Sequence, residues 1–136
     1  VSLAAIQKAT SRLVPKLMQK FGVPCDVRRP ESLEDQADNS TSVYWARLPR
    51  SIGIEQVIVS PITEAARRKE WGTESRARVL GVAALSLGLQ TGDILRPRTG
   101  AYAGVPLEVV ERAPSDAGSL VTLGLTQVHD RSEFGW

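Results

Sequence analysis

Val105-Pro-Leu-Glu-Val-Val-Glu-Arg112, then Pro114-Ser-Asp-Ala-Gly118, then Leu120-Val-Thr-Leu-Gly-Leu-Thr-Gln-Val128 is the passage on which the fold turns. Two runs rich in valine and leucine flank a cluster of turn formers, the pattern of two antiparallel strands and their connection. Upstream, Gly92-Asp93 is a turn signal before a strand at Ile94 to Arg98. Thr73 to Leu85 reads as a long strand with Ala77, Val79, Gly81 and Ala83 on one face. Ile54 to Val59 is the most β-like short run, and Val43 to Leu48, with Tyr44 and Trp45, is another candidate. Val23, Cys25 and Val27 alternate with Pro24, Asp26 and Arg28, the period of a half-buried strand. The expected class is therefore mainly β with an N-terminal α-helix, a small antiparallel β-barrel or sandwich with long loops.

The helix is expected over residues 1–22. Leu3, Ile6, Leu13, Leu17 and Phe21 fall on one face, while Lys8, Arg12, Lys16 and Lys20 recur every four residues on the other. Ser2 is a candidate N-cap, Gly22 and Pro24 a stop, and Pro15 should kink the helix near Val14. Residues 23–128 form the expected barrel, with loops at 30–42 and 60–73, and 129–136 a tail, all in one domain. From Pro30 to Ser42 the sequence is polar and without periodicity. Glu31, Glu34, Asp35 and Asp38 occur there with no Lys or Arg, which predicts a long acidic loop. Between Pro61 and Gly72, Thr63 is a candidate N-cap and Gly72 a stop, and both a short helix and an extended arm fit.

Composition excludes more than it identifies. At 136 residues the chain suffices for one domain, and 42% apolar with 24% charged residues is ordinary globular usage. A formal net charge of +2 is too balanced to mark a dedicated nucleic-acid binder. Cys25 is the single cysteine, so no intramolecular disulfide forms, and with His129 as the single histidine a soft-ligand zinc site is not available. Val79 to Leu89, the longest apolar stretch, is too short to cross a bilayer as a helix. The opening residues lack the apolar core and cleavage site of a secretory leader, which makes synthesis in the cytoplasm the expectation.

No reaction chemistry assembles from this sequence. His129 lies beside Asp130 in a polar tail without a nucleophile elbow upstream, and reads as a solvated surface residue. Cys25 occupies an alternating strand position and reads as an inert core thiol. Neither a Walker-type loop nor a dinucleotide glycine fingerprint occurs, and the acidic segment lacks the glycine of a calcium loop. No catalytic, cofactor-binding or metal-ligating residues are assigned, and no enzymatic activity is expected. Two basic features remain. The stripe Lys8, Arg12, Lys16 and Lys20 fits a solvated face, nucleic acid, anionic lipid or an acidic protein groove, lipid least well for want of an interfacial Trp. The cluster Arg67, Arg68, Lys69 and Trp71 could lie in a nucleic-acid groove, although the few aromatics are too scattered for a stacking platform.

The runs from Thr73 to Leu87, Gly92 to Leu95, Pro106 to Pro114 and Leu120 to Val128, together with the opening helix and Gly22 to Arg29, resemble the head-closure (stopper) proteins of long-tailed bacteriophages. The resemblance spans most of residues 3–128 and rests on strands and turns, not on invariant chemistry; the segment from Pro61 to Gly72 departs from its short connections. It implies a non-enzymatic protein of the virion neck that forms a ring, dodecameric in that family, beneath the portal and adaptor proteins. It also implies a docking surface for the tail terminator and tail proteins, and a loop projecting into the channel through which packaged DNA passes without specific binding. Glu31, Glu34, Asp35 and Asp38 are the candidate channel loop. Lys8, Arg12, Lys16, Lys20, Arg67, Arg68, Lys69, Trp71, Phe134 and Trp136 are candidates for subunit or partner contacts. Adaptor and tail-terminator roles in the same neck fit the resemblance as well. An alternative from another class is a small β-barrel nucleic-acid-binding module using the basic helix and the Arg67 to Trp71 cluster.

Overall fold

One strand, β1 (Val23–Asp35), has three partners, and the architecture follows from how it divides itself among them. In the computed structural model, which describes residues 16, 18–35, 40–47, 54–114 and 119–136, residues 23–26 of β1 pair with β3 (Ile54–Pro61). Residues 25–28 pair on the other edge with β5 (Ile94–Pro97), and residues 28–35 pair with β2 (Ser40–Arg47). The remaining ladders join β3 to β4 (Val79–Ala84), β4 to β7 (Leu120–Gln127), β7 to β6 (Leu107–Pro114) and β6 to β5. The order β1-β3-β4-β7-β6-β5 returns to β1, a closed six-stranded antiparallel barrel with β2 as an extra strand. Closure removes the open edges of the six barrel strands that would otherwise invite aggregation. The mainly β barrel expected from the strand pattern is the fold observed.

Inside the barrel, Val27, Val57, Leu95, Leu107, Val109, Leu123 and Leu125 are fully buried. Alternation along β4 puts Val79, Gly81 and Ala83 inside, with Ala77 just before them, the face read from the sequence. Cys25 is also enclosed. Burial, with Asp26 beside it, pushes its thiol up to about 12, so it stays protonated and unreactive at neutral pH.

The acidic segment corrects an expectation. The described residues within 30–42 are strand and not loop: β1 continues to Asp35 and β2 begins at Ser40, with Pro30 opposite Trp45, Glu31 opposite Tyr44 and Ser32 opposite Val43, while 36–39 lie outside the described residues. This ribbon runs past the last β5 pairing, Arg28 with Ile94, and its described outer residues Ser32, Val43 and Tyr44 are exposed on both faces. Without a buried face the apolar alternation that reveals a strand is missing, and backbone pairing plus cross-strand contacts hold it. One such contact is the Tyr44 hydroxyl donating to Glu31 Oε2 at 2.6 Å.

Residues 61–72 resolve to a helix rather than an arm. α1 (Glu64–Trp71) is capped by Thr63, whose Oγ1 accepts from the Ala66 N–H at 3.2 Å, and ends at Gly72 with φ 85°. The strand expected from Thr73 is shorter because Arg67 donates from Nη1 to Ser75 O at 2.6 Å and Thr73 O at 3.5 Å. Those carbonyls serve a guanidinium instead of a neighbouring strand, and β4 starts only at Val79. Of the N-terminal helix, the described last turn ends as the Gly22 N–H donates to Met18 O at 2.8 Å. Lys8, Arg12 and Pro15 lie outside the described residues.

A bulge between Val109 and Glu111 brings Glu111 opposite Gly124. A Cβ on Gly124 would lie 2.8 Å from Ala77 Cβ and 2.9 Å from Glu111 Cβ, both fixed by their backbones. Gly124→Ala is therefore expected to destabilise the fold by about 1–3 kcal/mol in urea unfolding, and an unchanged midpoint would refute this packing.

Candidate functional site

Arg28 and Arg29 occupy the point where β1 leaves the barrel, and as strand neighbours they project to opposite faces. Arg28, only 3% exposed, donates from Nε to Phe134 O at 2.7 Å, from Nη1 to Val27 O at 3.1 Å and from Nη2 to Gly135 O at 3.2 Å. A buried guanidinium is costly unless its donors are used, and these carbonyls take up three of its five. Its charge also lies over the Trp136 ring, 4.9 Å from the centroid, and Arg96 approaches the same ring at 4.7 Å. Trp136 Nε1 donates to Asp130 Oδ1 at 2.9 Å. Phe134 is buried edge-on against Trp45 of β2, centroids 4.6 Å apart and planes at 84°. The tail therefore folds back and closes over the base of the ribbon.

On the opposite face Arg29 forms a two-point pair with Asp93, Nε to Oδ1 and Nη2 to Oδ2 both at 2.9 Å, and donates to Gly88 O at 2.7 Å. Buried Asp93 also accepts the Gln90 N–H at 2.9 Å, holding the turn before β5. That carboxylate raises the Arg29 pKa further, by hydrogen bonding before charge. Asp26 makes a second ion pair: Arg98 reaches both its oxygens at 3.0 and 2.9 Å, and Arg96 stands 3.9 Å away. The Arg98 hydrogen bonds hold the Asp26 carboxyl below its usual range despite burial, with the charges of Arg98, Arg96 and Arg28 adding to the effect.

Beyond this clamped base the ribbon carries exposed apolar groups. Val43 is 60% and Tyr44 47% exposed, and at the other end of β1 Phe21 is 56% exposed. Glu31 lies on the ribbon bonded to Tyr44, and the backbones of Glu34 and Asp35 pair with Thr41 and Ser40. Asp38 falls outside the described residues. Lys16 and Lys20 are exposed, Lys20 with its ammonium 5.3 Å from the Phe21 ring.

Two candidate contact groups are rearranged by the fold. Arg67 is enclosed, its charge spent on Ser75 O and on Glu64, so the Arg67 to Trp71 cluster does not present one basic face. Arg68 pairs with Glu64 at 2.8 Å, Lys69 stays exposed and Trp71 is half-buried. A helical turn cannot direct Arg67, Arg68 and Lys69 the same way, since they are spaced by about 100° each. Phe134, expected to dock on a neighbour, is packed inside its own chain, and Trp136 is held between two arginines. Asp26, Arg28, Arg29 and Asp93 belong to no motif in the sequence, and the one signal there is the pair of consecutive arginines inside an alternating strand, where one must face inward.

An open cleft of about 240 Å³ between α1 and the barrel is lined by Ile62, Glu64, Arg67 and Arg78, with no nucleophile among them. Among the described residues no group of three or more His, Cys, Asp or Glu could hold a metal ion. No described helix is long and apolar enough to cross a membrane.

The architecture has a solved counterpart. The chain is similar to the solution structure of protein SF1141 from Shigella flexneri 2a, with TM-score 0.62 and 11% identity over 80% of this chain and 94% of that one. At that identity the likeness concerns the fold alone. No family model and no curated protein matches the sequence.

Two outcomes test the clamp. In a double-mutant cycle, Trp45→Leu and Phe134→Leu should couple by about 0.5–1.5 kcal/mol in denaturant unfolding, and additive effects would mean the edge contact contributes nothing. The depressed pKa of Asp26 means its ion pairs stabilise the fold above the ordinary carboxylate value of about 3.9. That stabilisation is lost as pH falls below this value through the folded-state pKa. Asp26→Asn should flatten the part of the acid-unfolding curve lying in that window, and a curve identical to wild type would refute the assignment.

Proposed function

We propose that the protein is a structural component of the neck of a long-tailed bacteriophage virion, a ring-forming head-closure protein placed between the portal and adaptor proteins and the tail. The observation that carries the reading is the acidic β1–β2 ribbon, which leaves a closed barrel and has no Lys or Arg between Pro30 and Ala46. A two-stranded ribbon is marginally stable in water by itself, so it gains from neighbouring subunits or partners. Its charge suits a channel wall: the ribbon obstructs duplex DNA sterically while like charge keeps the phosphates from adhering. The resemblance over most of residues 3–128 supports the same reading, and the role is non-enzymatic.

The nucleic-acid-binding alternative is weakened by the enclosure of Arg67 and the pairing of Arg68 with Glu64, which leave Lys69 as the exposed basic group of that cluster without an acidic partner in contact. Electron microscopy of particles made with an early stop codon in this gene tests the proposal. DNA-filled or leaking heads separate from finished tails are expected, and normal infectious particles would overturn it. In virions carrying Glu34→Gln, Asp35→Asn and Asp38→Asn together, DNA ejection followed by dye release should slow as the duplex adheres to the channel. Unchanged ejection kinetics would count against the ribbon as the channel wall.

A further inference from the structure

We infer that the cleft between α1 and the barrel is a binding site for the phosphate monoester group of a small molecule, gripped by Arg67 and Arg78. The two arginines enter it from different elements, Arg67 from α1 and Arg78 from the residue before β4. None of its lining residues belongs to β1 or β2, so the site is independent of the neck reading.

Backbone carbonyls fix one corner of each guanidinium and leave the other corner available. Arg67 Nη1 donates to Ser75 O at 2.6 Å and to Thr73 O at 3.5 Å. Arg78 Nη1 donates to the same Ser75 O at 3.2 Å and to Ala77 O at 2.8 Å, so one carbonyl draws the two groups together. Among the described residues the Nε and Nη2 edge of Arg78 has no partner, and that edge of Arg67 has only a long 3.4 Å contact with Glu64. Elsewhere in the chain this edge is the one that grips oxyanions. Arg29 takes both oxygens of Asp93 with it, and Arg98 both oxygens of Asp26. Two such forks, already ordered by backbone beside an open cleft, are preorganised for an anion with several acceptor oxygens.

The local charge is unbalanced in the same sense. Glu64 Oε1 is shared by Arg68 at 2.8 Å and Arg67 at 3.4 Å, and Arg78 has no acidic group within ion-pair distance among the described residues. Three guanidinium groups against one carboxylate leave a surplus of two positive charges. The Arg67 side chain is only 8% exposed, so little water offsets that repulsion. A phosphate monoester carries about −1.5 to −2 at neutral pH on three acceptor oxygens and matches the surplus. A carboxylate brings a single charge and two oxygens. The cleft volume of about 240 Å³ is below the roughly 300–1,000 Å³ of pockets that enclose a whole ligand. The cleft therefore takes the phosphate and leaves the rest of the molecule at its mouth.

Titration of the full chain with inorganic phosphate and with a sugar phosphate, at an ionic strength held constant with chloride, tests the site by heteronuclear NMR. The amide signals of Ile62 and Glu64 and the side-chain Nε signals of Arg67 and Arg78 should move with either probe, with a millimolar or tighter dissociation constant. Arg78→Gln should weaken binding about tenfold or more. Glu64→Gln should tighten it severalfold, because it releases the Arg67 edge and removes a like charge from the site. A purely structural role for these arginines does not produce that gain. Lys69→Gln removes the same charge from an exposed position that does not line the cleft, and should leave the affinity nearly unchanged. Circular dichroism checks folding, and if Arg78→Gln unfolds the chain, the response of Glu64→Gln decides alone. Signals that stay still up to tens of millimolar phosphate, or a sugar phosphate that fails to bind, would overturn the inference. So would a Lys69→Gln loss equal to that of Arg78→Gln, a Glu64→Gln chain that binds no better, or duplex DNA that displaces the sugar phosphate at equal phosphate concentration.

Discussion

The two arginines in the middle of β1 hold together a strand that has to serve two structures. Up to Arg28, β1 closes the barrel between β3 and β5; beyond it, the same strand is half of a ribbon paired only with β2. A long strand leaving a barrel would swing about its last pairing unless its base were fixed. Arg28 fixes one face to the backbone of the tail, and Arg29 fixes the other to Asp93 and the turn before β5. Trp45 then packs on Phe134, so β2 is tied to the same tail. Removing either guanidinium would leave carbonyls or a buried carboxylate unpaired, a larger loss than the contact itself.

Arginine recurs in this chain as a reader of carbonyl oxygens. Arg28 takes those of Val27, Phe134 and Gly135, Arg67 those of Thr73 and Ser75, and Arg112 that of Leu89 at 2.8 Å. Each ties an irregular segment, where backbone groups lack strand partners, to the regular frame. The fork of donors on one rigid plane suits this task, and a lysine would satisfy fewer acceptors. Charge that looks like surface decoration in the sequence is thus partly internal scaffolding.

The large exposed hydrophobic groups among the described residues lie about the two ends of β1, Phe21 just before it and Val43 and Tyr44 on the strand paired with its outer half. The acidic, partly apolar ribbon and the basic helix end with Phe21 are kept apart by a stiff strand. The interior, by contrast, is chemically quiet: the single thiol is enclosed and protonated, and the charged groups of the clamp are committed to one another.

The amino-acid sequence by itself determined the barrel strands, the β6–β7 hairpin, the inward face of Ala77 to Ala83, the Thr63 and Gly72 caps and the inert cysteine. Those features are local: alternation, turn formers and caps express themselves within a few residues. Only the tertiary structure decided the rest. The acidic ribbon hid from periodicity because, beyond its base at Trp45, its described residues Ser32, Val43 and Tyr44 are exposed on both faces and offer no apolar side to reveal the strand. Arg67 and Phe134 read as surface groups because their partners, Ser75 O on the irregular run after α1 and Trp45 on β2, are chosen by packing and not by spacing. Arg28 and Asp93 likewise acquire their roles from partners far along the chain, at distances no local pattern encodes.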